Sequence, residues 1–285
     1  MILQDLIKHA IFEDAPQGDI TVTSLFKDAT PQHASLIAKQ AGIFYGCDII
    51  KHFLLLYDPS HHITFFVNDG DLITKNSTIC QIQSQFDIIL LIERSMLNLI
   101  QHLSGIATLT QTFLKTLDNP NIAICDTRKT TVGLRKLEKA AVKAGGGTNH
   151  RFGLSDMILI KENHLKMLEK QHALATLNEI IQRAKANNPN LKAQIEIESI
   201  DQLQSLSLHS FDYIMLDNFS LANIPEATAI CRQRYPHIQI EVSGNVSLAT
   251  IADYRAFDID RISIGSLTHS APAFDISLLF TENSL

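Results

Sequence analysis

AQIEIESIDQLQSLSLHSFDYIMLDN, residues 193–218, holds two short apolar runs, AQIEI (193–197) and YIML (213–216), on either side of SIDQLQSLSLH. The middle piece places Ile200, Leu203 and Leu206 at helical spacing, while Ile195 and Ile197 alternate with Glu196 and Glu198 as a strand does. A strand, a short helix and a second strand in so little chain imply two parallel strands joined by a right-handed crossover.

The same rhythm runs outward in both directions. Strand-like runs stand at NIAIC (121–125), MILI (157–160), IQIEV (238–242) and RISI (261–264), with further helical patterns in SLANIPEATAICRQRYP and SLATIADYRAF. Six such strands are fewer than the eight of a complete barrel, and no GxGxxG follows the first of them, as an open dinucleotide-binding sheet would require. The expected fold is therefore an incomplete parallel α/β barrel of six or seven strands over 111–267, preceded by an N-terminal α/β (α+β) domain at 1–110. That first part reads differently. Residues 2–12 have helical spacing, GDIT (18–21) is a turn or helix start, and HASLIAKQAGIFYG, HITFFVNDGDLI and STICQIQSQ are strand-like pieces between turns. The segment 86–117 reads as one long helix, apolar on most of two faces.

Charge is unevenly distributed. Residues 126–164 hold eight Lys and Arg against four acids, a balance of +4, which leaves sixteen bases and twenty-six acids elsewhere, a balance of −10. A chain of net charge −6 is not a general nucleic-acid binder, and a local basic focus suits a small anion better than a polymer. The four cysteines form no CxxC and read as reduced, buried thiols of a cytoplasmic protein. The N-terminus lacks the apolar core of a signal peptide, and the longest aliphatic run, 88–92, is too short to span a membrane.

Polar residues follow each barrel strand: Asp126-Thr127-Arg128-Lys129, Lys161-Glu162-Asn163-His164, Asp217-Asn218, Ser243-Gly244-Asn245 and Gly265-Ser266. Carboxyl ends of parallel strands converge on one mouth, where barrel enzymes place their chemistry. Lys161 there reads as a Schiff-base amine, an anion binder or a loop residue; with Arg128, Lys129 and Arg151 nearby the anion binder is favoured. Glu196 and Glu198 are expected to point into the barrel, where an acid needs a cation or a metal, and with Asp217 they suit Mg²⁺ shared with substrate phosphates. The Gly-containing ends at 243–245 and 265–266 match a barrel phosphate site. In 134–144, Arg135, Lys139 and Lys143 share one helix face, read as solvated, and Gly145–Gly147 reads as a helix stop that brings His150 and Arg151 into place. His61 and His62 read as surface residues, and no HExxH occurs among the histidines.

At this point the block DTRKTTVGLRKLEKAAVKAGGGTNHRFGLSDMILIKENH (126–164) resembles the signature of the quinolinate phosphoribosyltransferases. The likeness extends through EDAPQGDIT, DGDLI, ERSMLNLIQHLSGIATLT, IEIES, MLDNF, EVSGN and GSLTHS, nearly the whole chain. It implies a Mg²⁺-dependent enzyme joining quinolinate to phosphoribosyl pyrophosphate (PRPP), and a homodimer whose subunits complete each other's sites. It also implies that the last residues, 268–285, return to the first domain. Carried over residue by residue, it assigns Arg128, His150 and Arg151 to the quinolinate carboxylates, together with Lys161, and Arg94 to the neighbouring subunit's site. Lys129 and Lys161 would sit between the substrates, and Glu196 and Asp217 by the ribose and metal. Asn163, His164, Ser243, Gly244, Asn245, Gly265 and Ser266 would hold phosphate. Val132 and Ala144 depart from the family's usual proline and cysteine, and neither position carries charge.

Overall fold

The computed structural model describes residues 3–28 and 30–281. Residues 1, 2, 29 and 282–285, which fall in the expected first domain and its returning tail, lie outside the described residues. The chain divides into two compact units: Met1–Gln111 with Lys143–Gly146 and Ala271–Leu285, and Thr112–Val142 with Gly147–Ser270.

In chain order the first part contains α1 (Leu3–Asp14), α2 (Ile20–Leu25), β1 (Pro31–Ala38), β2 (Gly42–Ile43), α3 (Cys47–Tyr57), β3 (His62–Phe65), β4 (Leu72–Ile73), β5 (Thr78–Gln85) and α4 (Phe86–Leu117). Next come β6 (Ala123–Cys125), α5 (Arg135–Ala144), β7 (Met157–Ile160), α6 (Glu162–Lys170), α7 (Leu177–Asn187), β8 (Lys192–Ile197) and α8 (Ile200–Ser205). The chain finishes with β9 (Tyr213–Asp217), α9 (Ile224–Arg234), β10 (Gln239–Ser243), β11 (Arg261–Ser263), α10 (Ser266–His269) and β12 (Ile276–Thr281).

In the first unit β12, β1, β5 and β3 form an antiparallel sheet in that order. Leu36 of β1 faces Leu278 on one side and Cys80 on the other, which puts β1 between β12 and β5. Helix α2 starts at Asp19, whose carboxylate accepts the Val22 N–H, so GDIT marks a helix start. Helix α3 is not among the expected elements, although Ile49, Ile50, Phe53 and Leu54 have helical spacing and form its buried face. Its first amides, those of Gly46 and Cys47, donate to the Asp69 carboxylate at 2.7 and 2.9 Å, a cap supplied from a distant turn.

The second unit is built on a six-stranded parallel sheet in the order β6-β11-β10-β9-β8-β7. Strands β7 to β11 lie side by side in sequence order, and β6 joins beyond β11, so the chain's first two barrel strands end up as the two edges. The barrel is incomplete between them, as six short runs with helical crossovers require. Its curl is visible from side chains that skip a strand: Gln194 of β8 donates to Glu241 of β10 at 2.9 Å, and the Arg261 guanidinium of β11 lies 3.7 Å from the Tyr213 ring centre of β9. At the open edge of β6, Thr148 bridges Cys125 in parallel, donating to Ile124 O and accepting from Asp126 N.

One expected helix is reduced. SLATIADYRAF forms only a 3₁₀ turn, Ile251–Tyr254. Ser247 and Thr250 bond one another at its start, and Arg255 turns away to donate to Thr116 O and Leu117 O, which ends the segment before an α-helix can propagate. Among the described residues no helix is long and apolar enough to cross a membrane.

Candidate active site

The carboxyl ends of the barrel strands lie level. Ser243 pairs with both Asp217 and Ser263, and Ser263 with Cys125. The residues at and just beyond those positions surround a cavity of about 260 Å³, lined by Thr127, Arg128, Lys129, His150, Arg151, Leu159, Lys161, Glu196, Met215, Asp217, Ser243 and Ser263. All six strands, or the turns leaving them, contribute to it.

Two loops carry cations into this cavity, and helix α5 fastens both. The first follows β6. Its Thr131 N–H donates to Glu138 at 3.1 Å, and Arg135 donates to Thr130 Oγ1 at 3.0 Å and Arg128 O at 3.4 Å. The Thr268 hydroxyl donates to Lys129 O at 2.8 Å. The second loop, 148–153, follows α5. There the buried Asp126 carboxylate accepts the His150 N–H at 2.9 Å and the Asn149 amide at 2.6 Å, and pairs with the Lys139 ammonium. Lys139 also donates to His150 O at 3.0 Å, and Arg135 to Phe152 O at 3.2 Å.

This corrects the solvated-face reading of α5. Lys139 is 4% exposed and Arg135 is half-buried, because both turn toward the loops they tie, while Lys143, the third residue of that face, is exposed as expected. Burial pushes the Asp126 carboxyl above its ordinary value, although Lys139 and the two donors pull the other way. The helix stop forms as expected. Gly147 N–H returns to Val142 O at 2.9 Å with Gly146 at φ 92°, and a Cβ on Gly145 would lie 2.3 Å from Ala107 O.

Arg151 reaches the cavity with one Nη bonded to Met157 O at 3.1 Å, which links the second loop to the start of β7. Burial, and then the neighbouring Arg128, lower its guanidinium from the usual value, against Glu196 and Asp156; a guanidinium remains charged regardless. Arg128, Lys129 and Arg151 have no carboxylate at ion-pair distance among the described residues, and the Arg128 Nε is buried without a partner. Lys161 pairs with Glu196.

The acids divide. Glu196 lines the cavity, but Glu198 is exposed, because β8 ends at Ile197 and the inward alternation ends with it. The second inward polar residue of that strand is Gln194. Asp217, on the adjoining strand, lines the cavity and accepts from Asn218 Nδ2 at 2.9 Å. Among the described residues no group of three or more His, Cys, Asp and Glu is placed to hold a metal ion. Two hard carboxylates facing one cavity match the partial ligand set that Mg²⁺ uses when substrate phosphates supply further oxygens.

Several other expected residues do not line this cavity. Asn163 and His164 are exposed on α6, where the His164 ring accepts the Lys161 N–H at 3.0 Å as part of a helix cap. Gly244 and Asn245 pack on Asn218 instead. A Cβ on Gly244, at φ 96°, would lie 2.1 Å from Asn218 Oδ1, and Asn245 donates to that same oxygen at 3.3 Å. Gly265 and Ser266 begin α10; a Cβ on Gly265 would approach the Lys129 side chain at 3.0 Å. Arg94 is exposed on α4 in the first unit. Sequence reasoning missed the lining residues Leu159, Met215 and Ser263; alternation along β7, β9 and β11 is the signal that could have found them.

His150 has one ring nitrogen hydrogen-bonded to a protein atom. Nδ1 accepts the Arg151 N–H at 2.7 Å, and Nε2 lies 3.4 Å from Glu241 Oε1. The latter is an ion-pair distance without aligned hydrogen-bond geometry, and so is the 2.6 Å from Arg261 Nε to Glu241 Oε2.

Comparison with known proteins identifies the family. Residues 106–279 match the family model "Quinolinate phosphoribosyl transferase, C-terminal domain" and residues 19–104 its N-terminal counterpart. A probable nicotinate-nucleotide pyrophosphorylase [carboxylating] of Bacillus subtilis is 39% identical over 97% of this chain and 92% of its own length. The enzyme of that name from Mycobacterium leprae is 34% identical over 96% of each. The crystal structure of NadC from Streptococcus pyogenes superposes with a TM-score of 0.87 at 35% identity, covering 98% of both chains.

Proposed function

This chain belongs to the quinolinate phosphoribosyltransferase family, and from that membership and the cavity's charge we infer the reaction it performs and the residues that perform it. It is an enzyme of the nicotinate-nucleotide pyrophosphorylase (carboxylating) type. The reaction joins the quinolinate ring nitrogen to C1 of the PRPP ribose, releases pyrophosphate, and then loses CO₂ to give nicotinate mononucleotide for de novo NAD synthesis in the cytoplasm.

The observation that carries this reading is the set of three cations, Arg128, Lys129 and Arg151, without carboxylate partners in one cavity. A dianionic acid and a polyphosphate entering together supply the missing negative charge, and partly buried sites strengthen each contact. Arg128 and Arg151 bind the quinolinate carboxylates, with Lys161 beside them. His150, expected as a further carboxylate binder, lines the cavity beside Arg151 and accepts the Arg151 N–H at Nδ1. Lys129 stands on the phosphate side, next to Gly265 and Ser266, with Ser243, Gly244 and Asn245 forming the other part of the phosphate rim. His164 acts there through the α6 cap, in which its ring holds the Lys161 N–H, and Asn163 stands beside it on α6.

Displacement at the ribose carbon builds positive charge, which the Glu196 and Asp217 carboxylates stabilise. The pair that leaves with pyrophosphate comes from the C1–O bond, and the ring nitrogen forms the new C1–N bond. Cleavage of the carboxyl group beside the positive nitrogen leaves its electron pair on the ring carbon, which then takes a proton. Glu196 and Asp217 would hold Mg²⁺ together with substrate oxygens; when bound, the ion neutralises pyrophosphate charge as it leaves. The subunit works as a homodimer, with Arg94 contributed to the partner's site.

Release of CO₂ from quinolinate in the presence of PRPP and Mg²⁺ tests the reaction; activity with nicotinate in place of quinolinate overturns the substrate assignment. Mixing inactive Arg94→Ala and Lys161→Ala subunits tests the dimer. Confirmed heterodimers should recover part of the activity, and heterodimers with none remove Arg94 from the neighbouring site.

A further inference from the structure

Below the cavity, the barrel interior contains a polar cluster that the reaction as described does not use. Glu241 of β10 is fully buried. One of its oxygens accepts from Gln194 Nε2 at 2.9 Å and lies 2.6 Å from Arg261 Nε, and the other lies 3.4 Å from His150 Nε2, the last two being ion-pair distances without aligned hydrogen-bond geometry. Burial alone would raise the Glu241 carboxyl, but the His150 ring and the Arg261 charge outweigh it and hold the carboxyl below its ordinary value.

The His150 ring is constrained from both sides. Its Nδ1 accepts a backbone N–H, that of Arg151, so Nδ1 carries no proton. The ring proton is therefore on Nε2, the nitrogen that faces the Glu241 carboxylate. Arg261 lies at ion-pair distance from Glu241, and its guanidinium is in turn stacked on Tyr213. The other charged groups around this loop, Asp126 and Lys139, bond the His150 backbone and not its ring.

We propose that Glu241 is a positioning residue for the quinolinate half of the site: it holds His150 in the Nε2–H tautomer, and Nδ1 then fixes the Arg151 peptide from which the guanidinium reaches the cavity. This rests on the assignment of Arg151 to a quinolinate carboxylate. The device works by orientation. A carboxylate on the barrel floor selects a tautomer, and the tautomer selects the backbone position of a binding arginine.

The test has two independent arms. In wild-type protein labelled with ¹⁵N-histidine at neutral pH, the His150 signals, identified by their loss in His150→Asn, should show a bare Nδ1 and a protonated Nε2. An imidazolium or an Nδ1–H ring overturns the proposal, whether or not the protein turns over quinolinate. The second arm compares Glu241→Gln/Arg261→Met with Glu241→Leu/Arg261→Met. Both remove the buried charge pair together, so neither strands a charge. The Gln form keeps an oxygen facing Nε2 and should keep the tautomer and a quinolinate KM within about twofold of wild type. The Leu form should lose the tautomer and raise the quinolinate KM about tenfold while the PRPP KM stays within about twofold. Equal rises for both substrates, or equal behaviour of the Gln and Leu forms, overturn it. Wild-type enzyme inert toward quinolinate but with the stated tautomer would instead refute the substrate reading.

Discussion

At the amino ends of the barrel strands, Asp212 and Asp260 each stand one residue before a strand and bond the first amides of a neighbouring one. Asp212 accepts Ala193 N–H at 2.8 Å and pairs with Lys185 and Lys192; Asp260 accepts Ile240 N–H at 2.6 Å and pairs with Arg232. Around the cavity at the carboxyl end of the same sheet, Arg128, Lys129 and Arg151 have no carboxylate at ion-pair distance among the described residues. One end uses charge to tie the sheet together. The other leaves positive charge uncompensated, at a cost in repulsion that only an anionic ligand removes. The contrast also separates residues of one type: Lys139, on the helix between the two cation loops, is buried and paired, and so belongs with the structural charges although it sits beside the functional ones.

The sharpest way to break this division is at Lys139. Lys139→Ala leaves the buried Asp126 without its cation and should cost about 3–5 kcal/mol of stability, read by denaturant unfolding, with activity lost as the second loop loosens. A stable, active variant would show that Asp126 and the loop amides suffice. Next, Arg151→Ala should lower kcat/KM for quinolinate by about a hundredfold while the melting temperature stays within about 2 °C. A large drop in melting temperature would move Arg151 into the structural class. The smallest effect belongs to the amino end. Burial raises the Asp212 carboxyl, but Lys185 and the Ala193 N–H bring it below its ordinary value. A depressed carboxyl stabilises the fold above its unfolded value, and that contribution is lost as the pH falls below about 4 toward the folded value. Asp212→Asn should therefore flatten the acid side of the stability profile and leave kcat/KM within about twofold at neutral pH. A change in kinetics there would erase the distinction between the ends.

The resemblance and the strand rhythm made much of the site legible. Lys129, Arg128, Arg151, Lys161, Glu196, Asp217 and Ser243 all line the one cavity, and all but Arg151, which is read from the helix stop at 145–147, lie in or just after a strand. Period-two and period-3.6 patterns are local, so strands such as MILI and the helix at 86–117 appear in the structure where the residues indicate them. Glu198 misled because alternation holds only while a strand lasts, and β8 stops one residue earlier. Helix α3 went unread although Ile49, Ile50, Phe53 and Leu54 have helical spacing; only its cap, Asp69, comes from a separate turn.

By itself, then, the sequence determined the strand–helix alternation, the basic focus at 126–164 and the polar residues at the strand ends, because each is written in neighbouring residues. The tertiary structure alone decided which charges are paired. Lys139 has the spacing of an exposed face and becomes buried; Glu241 has the look of an ordinary strand residue and becomes the floor beneath His150. Whether a charge binds a ligand or holds the fold depends on partners brought together from distant positions, and no local pattern encodes that.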